Sequence, residues 1–336
     1  MEKYILAGDV GGTNTRLILS DDSNNDQRIV AEKKYLSGQY TGLVEIIKLF
    51  LSESGITDVI DAACFAIAGP VEFGAASVTN LPWVITEAEL GKLLNTPRIK
   101  LINDFVAAAN GIAALRDNDI EIIQQGKSHD NELLNKDAVI IGAGTGFGVA
   151  HIVWKNDHCQ VYSSEAGHVG FSPANQQQNE LLSWLQKQHS YVSLEMLLSG
   201  RGLLTIYQFL QEVKSIPESV LVLQEMKKKD PSQVITEHAI LESDSLCQKT
   251  LDMFVDIYGA AASNAALHYY PVGELYIAGG IAPKIKKMIM NERFINAFLN
   301  KGVMTLNLKK ITVKLIVQDH VGLYGALLRG RALCNK

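Results

Sequence analysis

Residues 4–20 read YILAGDVGGTNTRLILS, and this stretch decides how the chain begins to fold. Apolar residues run up to Gly8, the polar segment Gly11-Gly12-Thr13-Asn14 follows, and β-prone residues resume at Arg16. Two β-prone runs joined by a short glycine-containing segment predict a β-hairpin. Backbone N–H groups at such a turn can converge on an anion, and glycine lets phosphate oxygens approach the backbone closely.

A second segment of the same design begins at residue 138. The pattern predicts a strand at 138–141, a turn at Gly142-Ala143-Gly144-Thr145-Gly146 and a returning strand at 147–154. A dinucleotide-binding fingerprint would need a helix after the glycines, and a Walker-type loop would need G-x-x-x-x-G-K-[ST], which the sequence lacks. One glycine turn alone could be an ordinary tight hairpin, but two favour a pair of phosphate-binding loops.

Strands alternate with helical patterns along the rest of the chain. Apolar residues recur at helical spacing in 41–52, and the long stretch 245–268 also predicts a helix. Asp104 lies where a predicted strand at 99–102 meets a predicted helix at 105–115. This interleaving of strands and helices predicts an α/β protein.

Composition limits the possible partners. The 336 residues, 47% of them hydrophobic, are enough for two domains with separate cores. A net charge of -5 without clustered basic residues argues against nucleic acid as a partner. The apolar stretch before Asp9 is too short for a secretory signal or a membrane span, which predicts a cytoplasmic protein with no membrane partner. The four cysteines lack zinc-site spacing, so we expect free thiols and no structural metal.

Three motifs stand out along the chain: Asp9-Val10-Gly11-Gly12-Thr13-Asn14-Thr15-Arg16, Gly142-Ala143-Gly144-Thr145-Gly146 and Ile277-Ala278-Gly279-Gly280-Ile281. Together they resemble the phosphate and adenosine motifs of the actin-like sugar kinases and, within that group, the bacterial glucokinase family. The resemblance runs nearly end to end. It implies an α/β chain with the two-domain actin-like ATPase (ribonuclease H-like) fold and an inter-domain cleft. It also implies a small domain of residues 1–112 completed by a C-terminal helix at 319–336, a large domain of residues 113–318, and a homodimer.

The resemblance implies ATP and Mg²⁺ as cofactors. The residues implied to bind them are Gly8, Asp9, Val10, Gly11, Gly12, Thr13, Asn14, Gly142, Gly144, Thr145, Gly146, Gly279 and Gly280. Asp9 ends the first predicted strand, where a carboxylate could hold Mg²⁺ directly or through water. Gly279-Gly280 could equally form a simple turn between a strand and a helix.

The resemblance also implies a set of residues that contact glucose: Asn80, Asn103, Asp104, Glu165, His168 and Glu195, with Asp104 as the catalytic base. The family more often has glycine where Ala166 stands. Three of these residues also have a structural alternative. Asp104 could be a helix N-cap, Glu195 could be an acid in the first turn of a helix, and His168 could be a satisfied structural histidine.

The implied activity is phosphorylation of the 6-hydroxyl of D-glucose by Mg-ATP, giving glucose 6-phosphate for glycolysis. The alternative is a kinase for another hexose, mannose or an N-acetylhexosamine, on the same fold. ROK kinases carry a cysteine-rich zinc motif near the sugar-binding histidine, and its absence here favours the glucokinase branch. A sugar-responsive repressor would need a DNA-binding module ahead of Asp9. A chaperone or filament ATPase of the actin class would lack the Asn-Asp and Glu-x-x-His sugar set.

Overall fold

The computed structural model describes residues 3–23, 27–56, 59–126, 135–155 and 158–334. The remaining residues of the predicted small domain (1, 2, 24–26, 57, 58, 335 and 336) and of the predicted large domain (127–134, 156 and 157) lie outside the described ranges. The strands are β1 Tyr4–Val10, β2 Asn14–Asp21, β3 Arg28–Leu36, β4 Ile60–Ile67, β5 Val71–Glu72, β6 Ala75–Ser77, β7 Val84–Thr86, β8 Ile99–Asn103, β9 Ile120–Gln124, β10 Asn135–Ala143, β11 Phe147–Lys155, β12 His158–Ser164, β13 Val272–Ala278 and β14 Thr312–Ile316.

The α-helices are α1 Leu43–Ser54, α2 Glu87–Leu94, α3 Asp104–Gly111, α4 Gln176–Leu185, α5 Gly200–Lys214, α6 Val220–Met226, α7 Pro231–Ile240, α8 Ser245–His268, α9 Lys286–Ile289, α10 Glu292–Leu299, α11 Thr305–Leu308 and α12 Val321–Leu333. This element order confirms the predicted α/β class. The sequence pattern did not predict α7, although Asp230 as N-cap and Pro231 at its first position are typical of a helix start. Among the described residues, no helix combines the length and apolarity that a membrane span needs.

The chain folds into two compact units. The first comprises Met1–Arg116, Cys159–Val161 and Gln318–Lys336, and the second comprises Asp117–His158 and Tyr162–Val317. The domain boundaries expected at 112 and 318 stay predictions.

The first unit is built on a five-stranded sheet in the order β3-β2-β1-β4-β8. β1 and β2 form the predicted antiparallel hairpin, with Val10 opposite Thr15, while β1, β4 and β8 run parallel. The carboxyl ends of these three parallel strands therefore share one edge of the sheet. Polar residues that follow them can converge there.

Both faces of this sheet are covered. The predicted helix at 41–52 is α1, whose buried residues Leu43, Ile46, Ile47 and Phe50 recur at helical spacing. On the other face α3 and α12 approach each other closely, since a Cβ at Gly325 would collide with the carbonyl oxygen of Ala107. Helix α12 therefore packs against the sheet whose β1–β2 hairpin carries the first glycine turn.

The second sheet has six strands in the order β12-β11-β10-β13-β14-β9, and apart from Cys159–Val161 of β12 its strands belong to the second unit. β10 and β11 form the second predicted hairpin, and β13 runs parallel to β10 on its other side. Helix α8 has the predicted bounds and is buried along most of its length, so it forms the centre of the larger core. The glycine turns after β10 and β13 lie side by side, because Gly142 is opposite Ala278.

Candidate active site

The first glycine turn, residues 11–14, is braced by Ser37. The Gly11 N–H donates to the Asn14 carbonyl at 2.9 Å, which closes the turn. The Ser37 hydroxyl donates to the Gly11 carbonyl at 2.7 Å, and the Ser37 N–H donates to the Thr13 carbonyl at 3.0 Å. The turn is therefore held in one shape by bonds to its carbonyls, which leaves Gly12 and Thr13 at its tip.

Gly8 and Val10, both predicted to bind the nucleotide, pack inside the unit. The Val10 side chain is fully buried in the core, and a Cβ at Gly8 would collide with the rings and methyls of Phe65 and Leu17. Their direct contribution to the structure is to fix the end of β1, from which Asp9 and the turn project.

Asp9 is partly buried at the end of β1, opposite Arg16 in the β1–β2 register. Its pKa is raised from 3.8 to about 6: burial raises it most, the negative charge of Asp104 raises it as well, and the positive charge of Arg16 partly opposes both. A Cβ at Gly322 would lie 3.5 Å from Asp9 Oδ2, so the amino end of α12 adjoins this carboxylate. Two carboxyl groups therefore lie close enough to affect each other's ionisation.

Asn103 and Asp104 follow β8 at the same edge of the sheet. Asn103 is the N-cap of α3: its Oδ1 accepts from the N–H groups of Phe105 at 2.9 Å and Val106 at 3.3 Å. The alternative of Asp104 as N-cap is therefore wrong by one residue, because Asp104 is the first residue inside the helix. Burial raises the pKa of Asp104, and the hydrogen bond from the Phe105 N–H opposes that shift.

Asn80 is exposed and has a left-handed φ of 65°, which asparagine tolerates better than most residues. It adjoins the first glycine turn, because a Cβ at Gly12 would lie 3.5 Å from the Asn80 Cβ and would collide with the Thr79 carbonyl. The segment after β4 links this region to Asn103, whose Nδ2 donates to the Gly69 carbonyl at 3.2 Å. The first unit thus brings together the predicted residues Asp9, Gly11, Gly12, Thr13, Asn14, Asn80, Asn103 and Asp104.

The second glycine turn, residues 142–146, lies against Gly279 and Gly280. Gly279 has a φ of 84°, and a Cβ there would collide with the backbone of Ala143. Below both turns the buried Tyr258 hydroxyl accepts from the Ala143 N–H at 3.1 Å and donates to the Ala278 carbonyl at 3.3 Å. The simple-turn alternative for Gly279-Gly280 stays open, but this turn is packed directly on the second glycine turn.

Sequence reasoning missed the amino end of α5. Ser199 is its N-cap, accepting from the Gly202 N–H at 3.1 Å, and the Gly200 N–H donates to the Gly144 carbonyl at 2.9 Å. The start of a 15-residue helix is therefore fixed beside the second glycine turn, where its dipole favours negative charge. The Ser-Gly pair ahead of an apolar periodic stretch was the available sequence signal.

Sequence reasoning also left Arg16 without a role. Within the part of the chain that the structure describes, its buried Nη1 has no hydrogen-bond partner. A buried guanidinium nitrogen without a partner is costly, and an anion bound beside the first glycine turn could satisfy it. Its position opposite Asp9 follows from the register of the β1–β2 hairpin, which only the structure shows.

Glu165 and His168 bracket a short 3-10 helix after β12. Their side chains are 92% and 63% exposed, and Glu165 Oε2 lies 4.0 Å from His168 Nε2. This exposure argues against the alternative of His168 as a satisfied structural histidine. Both side chains are free to meet a ligand from solvent.

Glu195 lies in a turn ahead of α5, which begins at Gly200. The alternative of a first-turn helix acid is therefore wrong. Its Oε2 accepts from the Phe147 N–H at 2.9 Å, and its own N–H donates to the Gly167 carbonyl at 2.9 Å. The second unit thus brings Glu165, His168 and Glu195 together with Gly142, Gly144, Thr145, Gly146, Gly279 and Gly280.

The donor set suits a magnesium ion that arrives with a nucleotide. No cluster of three or more His, Cys, Asp or Glu side chains suited to a metal occurs in the described ranges. Mg²⁺ is commonly held by one or two carboxylates together with substrate phosphates and water. Asp9 and Asp104, whose mutual repulsion a cation would relieve, match that pattern.

Comparison with known proteins agrees with this arrangement. The family model described as Glucokinase matches residues 6–332. A glucokinase from Trichormus variabilis is 41% identical over 338 residues, covering 96% of this chain and 98% of that protein. A glucokinase structure from an Antarctic psychrotroph has a TM-score of 0.81 at 32% identity, covering 98% and 99% of the two chains.

A more distant structure shares the fold alone. It is a ROK family glucokinase from Streptomyces griseus in complex with glucose and AMPPNP, with a TM-score of 0.65 at 17% identity, covering 98% of this chain and 99% of that one. The chain has the two-domain actin-like ATPase fold of these sugar kinases. The family match over nearly the whole length, together with the glycine turns and carboxylates described above, places the chain in the glucokinase family, a family of ATP-dependent hexose kinases.

Proposed function

We propose that the protein transfers the γ-phosphoryl group of Mg-ATP to the 6-hydroxyl of D-glucose, with Asp104 as the general base. The observation that supports this most directly is the partly buried Asp104 carboxyl, with its raised pKa, beside Asp9, whose strand leads into the first glycine turn. A base whose pKa lies nearer the working pH accepts a proton more effectively while remaining ionised.

The proposed step needs one proton acceptor. The oxygen of the 6-hydroxyl attacks the γ-phosphorus, the bond to the β–γ bridging oxygen breaks, and ADP leaves with that oxygen. Asp104 accepts the hydroxyl proton as the new O–P bond forms. Asp104 is the first residue of α3, and its Oδ1 accepts a hydrogen bond from the Phe105 N–H at 2.8 Å. The orientation of the carboxylate is therefore fixed.

The two glycine turns would bind the phosphates of ATP through backbone N–H groups. In the first unit the turn consists of Gly11, Gly12, Thr13 and Asn14, where the Gly11 N–H closes the turn and Arg16 Nη1 is an additional donor. In the second unit it consists of Gly142, Gly144, Thr145 and Gly146 beside the amino end of α5, where the Gly144 N–H closes the turn on the Gly146 carbonyl. Asp9 would hold Mg²⁺, which, when bound, neutralises charge that develops on the phosphoryl oxygens. Gly279 and Gly280 would lie against the adenosine. The AMPPNP in the Streptomyces griseus relative supports ATP as the nucleotide.

The sugar would be recognised by amides, carboxylates and one imidazole: Asn80, Asn103, Glu165, His168 and Glu195. Each hexose hydroxyl can donate and accept, so fixed partners of this kind distinguish epimers. An epimer that leaves one buried partner unsatisfied loses about 1 to 3 kcal/mol of binding free energy. An assay with several hexoses therefore distinguishes glucose from the alternative substrates, mannose and the N-acetylhexosamines.

Several finer features complete the proposal. We place the protein in the cytoplasm as a homodimer, in keeping with a metabolic kinase that acts on soluble substrates. We also retain residues 1–112 with 319–336, and residues 113–318, as its functional domains.

The experiment is a coupled ADP-release assay with Mg-ATP and glucose, mannose, fructose or N-acetylglucosamine. We expect glucose to give the highest kcat/KM. Asp104→Asn should lower kcat by about two orders of magnitude or more while leaving glucose affinity within a few fold. The matched control, Asp117→Asn, removes an exposed carboxylate and should leave kcat unchanged. Near-normal turnover in Asp104→Asn would remove Asp104 from the mechanism, and a preference for another hexose would replace glucose.

A further inference from the structure

Glu195 makes a contact that a residue serving only the sugar would not need. Its carboxylate accepts the N–H of Phe147, the residue directly after the second glycine turn, at 2.9 Å. It also occupies the space beside Gly146: the three heavy atoms nearest to a Cβ built there all belong to the Glu195 carboxylate, with Cδ at 3.1 Å. The side chain is thus packed directly on the turn.

The backbone around Glu195 is fixed from both sides. Upstream, the Leu194 N–H donates to the Val169 carbonyl at 2.9 Å, and the Glu195 N–H donates to the Gly167 carbonyl at 2.9 Å. Downstream, the Gly200 N–H donates to the Gly144 carbonyl at 2.9 Å. The segment 195–200 therefore holds the glycine turn at two points, one a charged side chain and the other a helix start.

We propose that Glu195 is a positioning residue for the second glycine turn as well as a sugar contact, so that one carboxylate couples sugar binding to nucleotide binding. This inference rests on the proposed function for the identity of the two ligands. It needs nothing from the first unit, because every contact that carries it lies within the second.

The chemistry of a carboxylate allows both tasks at once. Its two oxygens offer about four lone-pair sites, so Oε2 can keep the Phe147 N–H while Oε1 accepts a sugar hydroxyl. A bound sugar restricts the Glu195 side chain and thereby the turn, so that less ordering is left for the nucleotide to impose. By reciprocity, a bound nucleotide raises sugar affinity by the same factor.

Glu165 provides the matched control. It is a predicted sugar contact of the same chemical type, but its side chain is 92% exposed and lies 4.0 Å from His168 Nε2, whereas the Glu195 carboxylate packs on the glycine turn. A residue that serves only the sugar should behave as Glu165 does. A residue that also positions the turn should change nucleotide binding even when no sugar is present.

The test is the Kd of Mg²⁺-AMPPNP measured by calorimetry with and without saturating glucose. In the wild-type protein we expect glucose to lower this Kd by about fivefold or more. Without sugar, Glu195→Ala should raise the Kd about tenfold, the loss expected for one charge-assisted hydrogen bond, and glucose should no longer change it. Glu195→Gln keeps an acceptor for the Phe147 N–H and should stay within about threefold of wild type without sugar. Glu165→Ala should match wild type without sugar, although it weakens glucose binding.

Each outcome decides between the two roles. If Glu195→Ala binds AMPPNP as wild type does, the positioning role is wrong, and a wild-type protein that phosphorylates glucose leaves the proposed function standing. If the wild-type protein phosphorylates no hexose while Glu195→Ala still loses nucleotide affinity, the proposed function fails and the positioning role stands. If Glu195→Ala does not fold, Glu195→Asp replaces it in the same Kd measurement. Its side chain is one methylene too short to reach Phe147 from the same backbone, so the same loss of nucleotide affinity is expected.

Discussion

Asp9→Asn should make the protein more stable and less active. Burial and the charge of Asp104 raise the pKa of Asp9 from 3.8 to about 6, and this net shift already includes the opposing attraction of Arg16. Two pKa units correspond to about 3 kcal/mol, at 1.36 kcal/mol for each unit. Asparagine resembles the protonated acid, so its introduction removes up to about that much unfavourable free energy at pH 8.

The pH dependence follows from the direction of the shift. The folded state binds the proton more tightly than the unfolded state, so ionisation destabilises the fold as pH rises from about 4 to 6. Above about pH 6 the folded state carries the whole free-energy penalty of the ionised Asp9. At pH 5 roughly half of this penalty remains, and below about pH 4 it disappears. The advantage of Asp9→Asn over wild type should therefore be largest at pH 7 to 8 and should shrink as pH falls.

The assay is thermal unfolding at pH 8, 7, 6 and 5. At pH 8 we expect the Tm of the transition that unfolds the first unit to rise by roughly 5 to 10 °C. The control Asp117→Asn, an exposed carboxylate, should change the Tm little at any of these pH values. Kinase turnover should fall sharply in Asp9→Asn, because Asp9 is the proposed Mg²⁺ ligand. A variant no more stable than wild type at pH 8, or an advantage that does not shrink by pH 5, would refute the electrostatic reasoning.

Two further substitutions test the framework around the site. Gly325→Ala would drive a Cβ into the Ala107 carbonyl between α3 and α12 and should lower the free energy of unfolding by about 3 kcal/mol. The control Gly38→Ala, with open space around it, should lower it by less than about 1 kcal/mol. Equal denaturation midpoints for the two variants would contradict the close packing of α3 and α12. Asn103→Ala removes the N-cap of α3 and should cost about 1 kcal/mol, whereas Asn103→Ser keeps a capping oxygen and should recover most of that stability. Because both Asn103 variants lose the amide, both should bind glucose more weakly in calorimetry, and unchanged affinity would remove Asn103 from the sugar site.

Local sequence patterns predicted much of the fold correctly. The two glycine hairpins and the bounds of α8 depend on residue type and periodicity within short windows, where backbone preference and tertiary packing agree. Helix α7 was missed because its apolar periodicity is weak, although its Asp-Pro start was visible. The motif order also predicted the family, which the match over residues 6–332 confirms.

Other features could not be predicted from local patterns. That Asn103 rather than Asp104 caps α3 is a matter of one backbone step, which propensity does not resolve. That Glu195 contacts Phe147, 48 positions away, is invisible to any local pattern. The individual roles of the proposed site residues remain predictions for the experiments above.

By itself the sequence determined where the chain turns, which strands carry glycine-rich ends and which polar residues stand beside them, because these are properties of a few consecutive residues. Only the tertiary structure decided which of those residues meet. The sheet order places Asp9 and Asp104 at one edge, and the packing of α12 brings its amino end beside Asp9. The pKa of Asp9 rises to about 6 because burial and neighbouring charge come from distant parts of the chain.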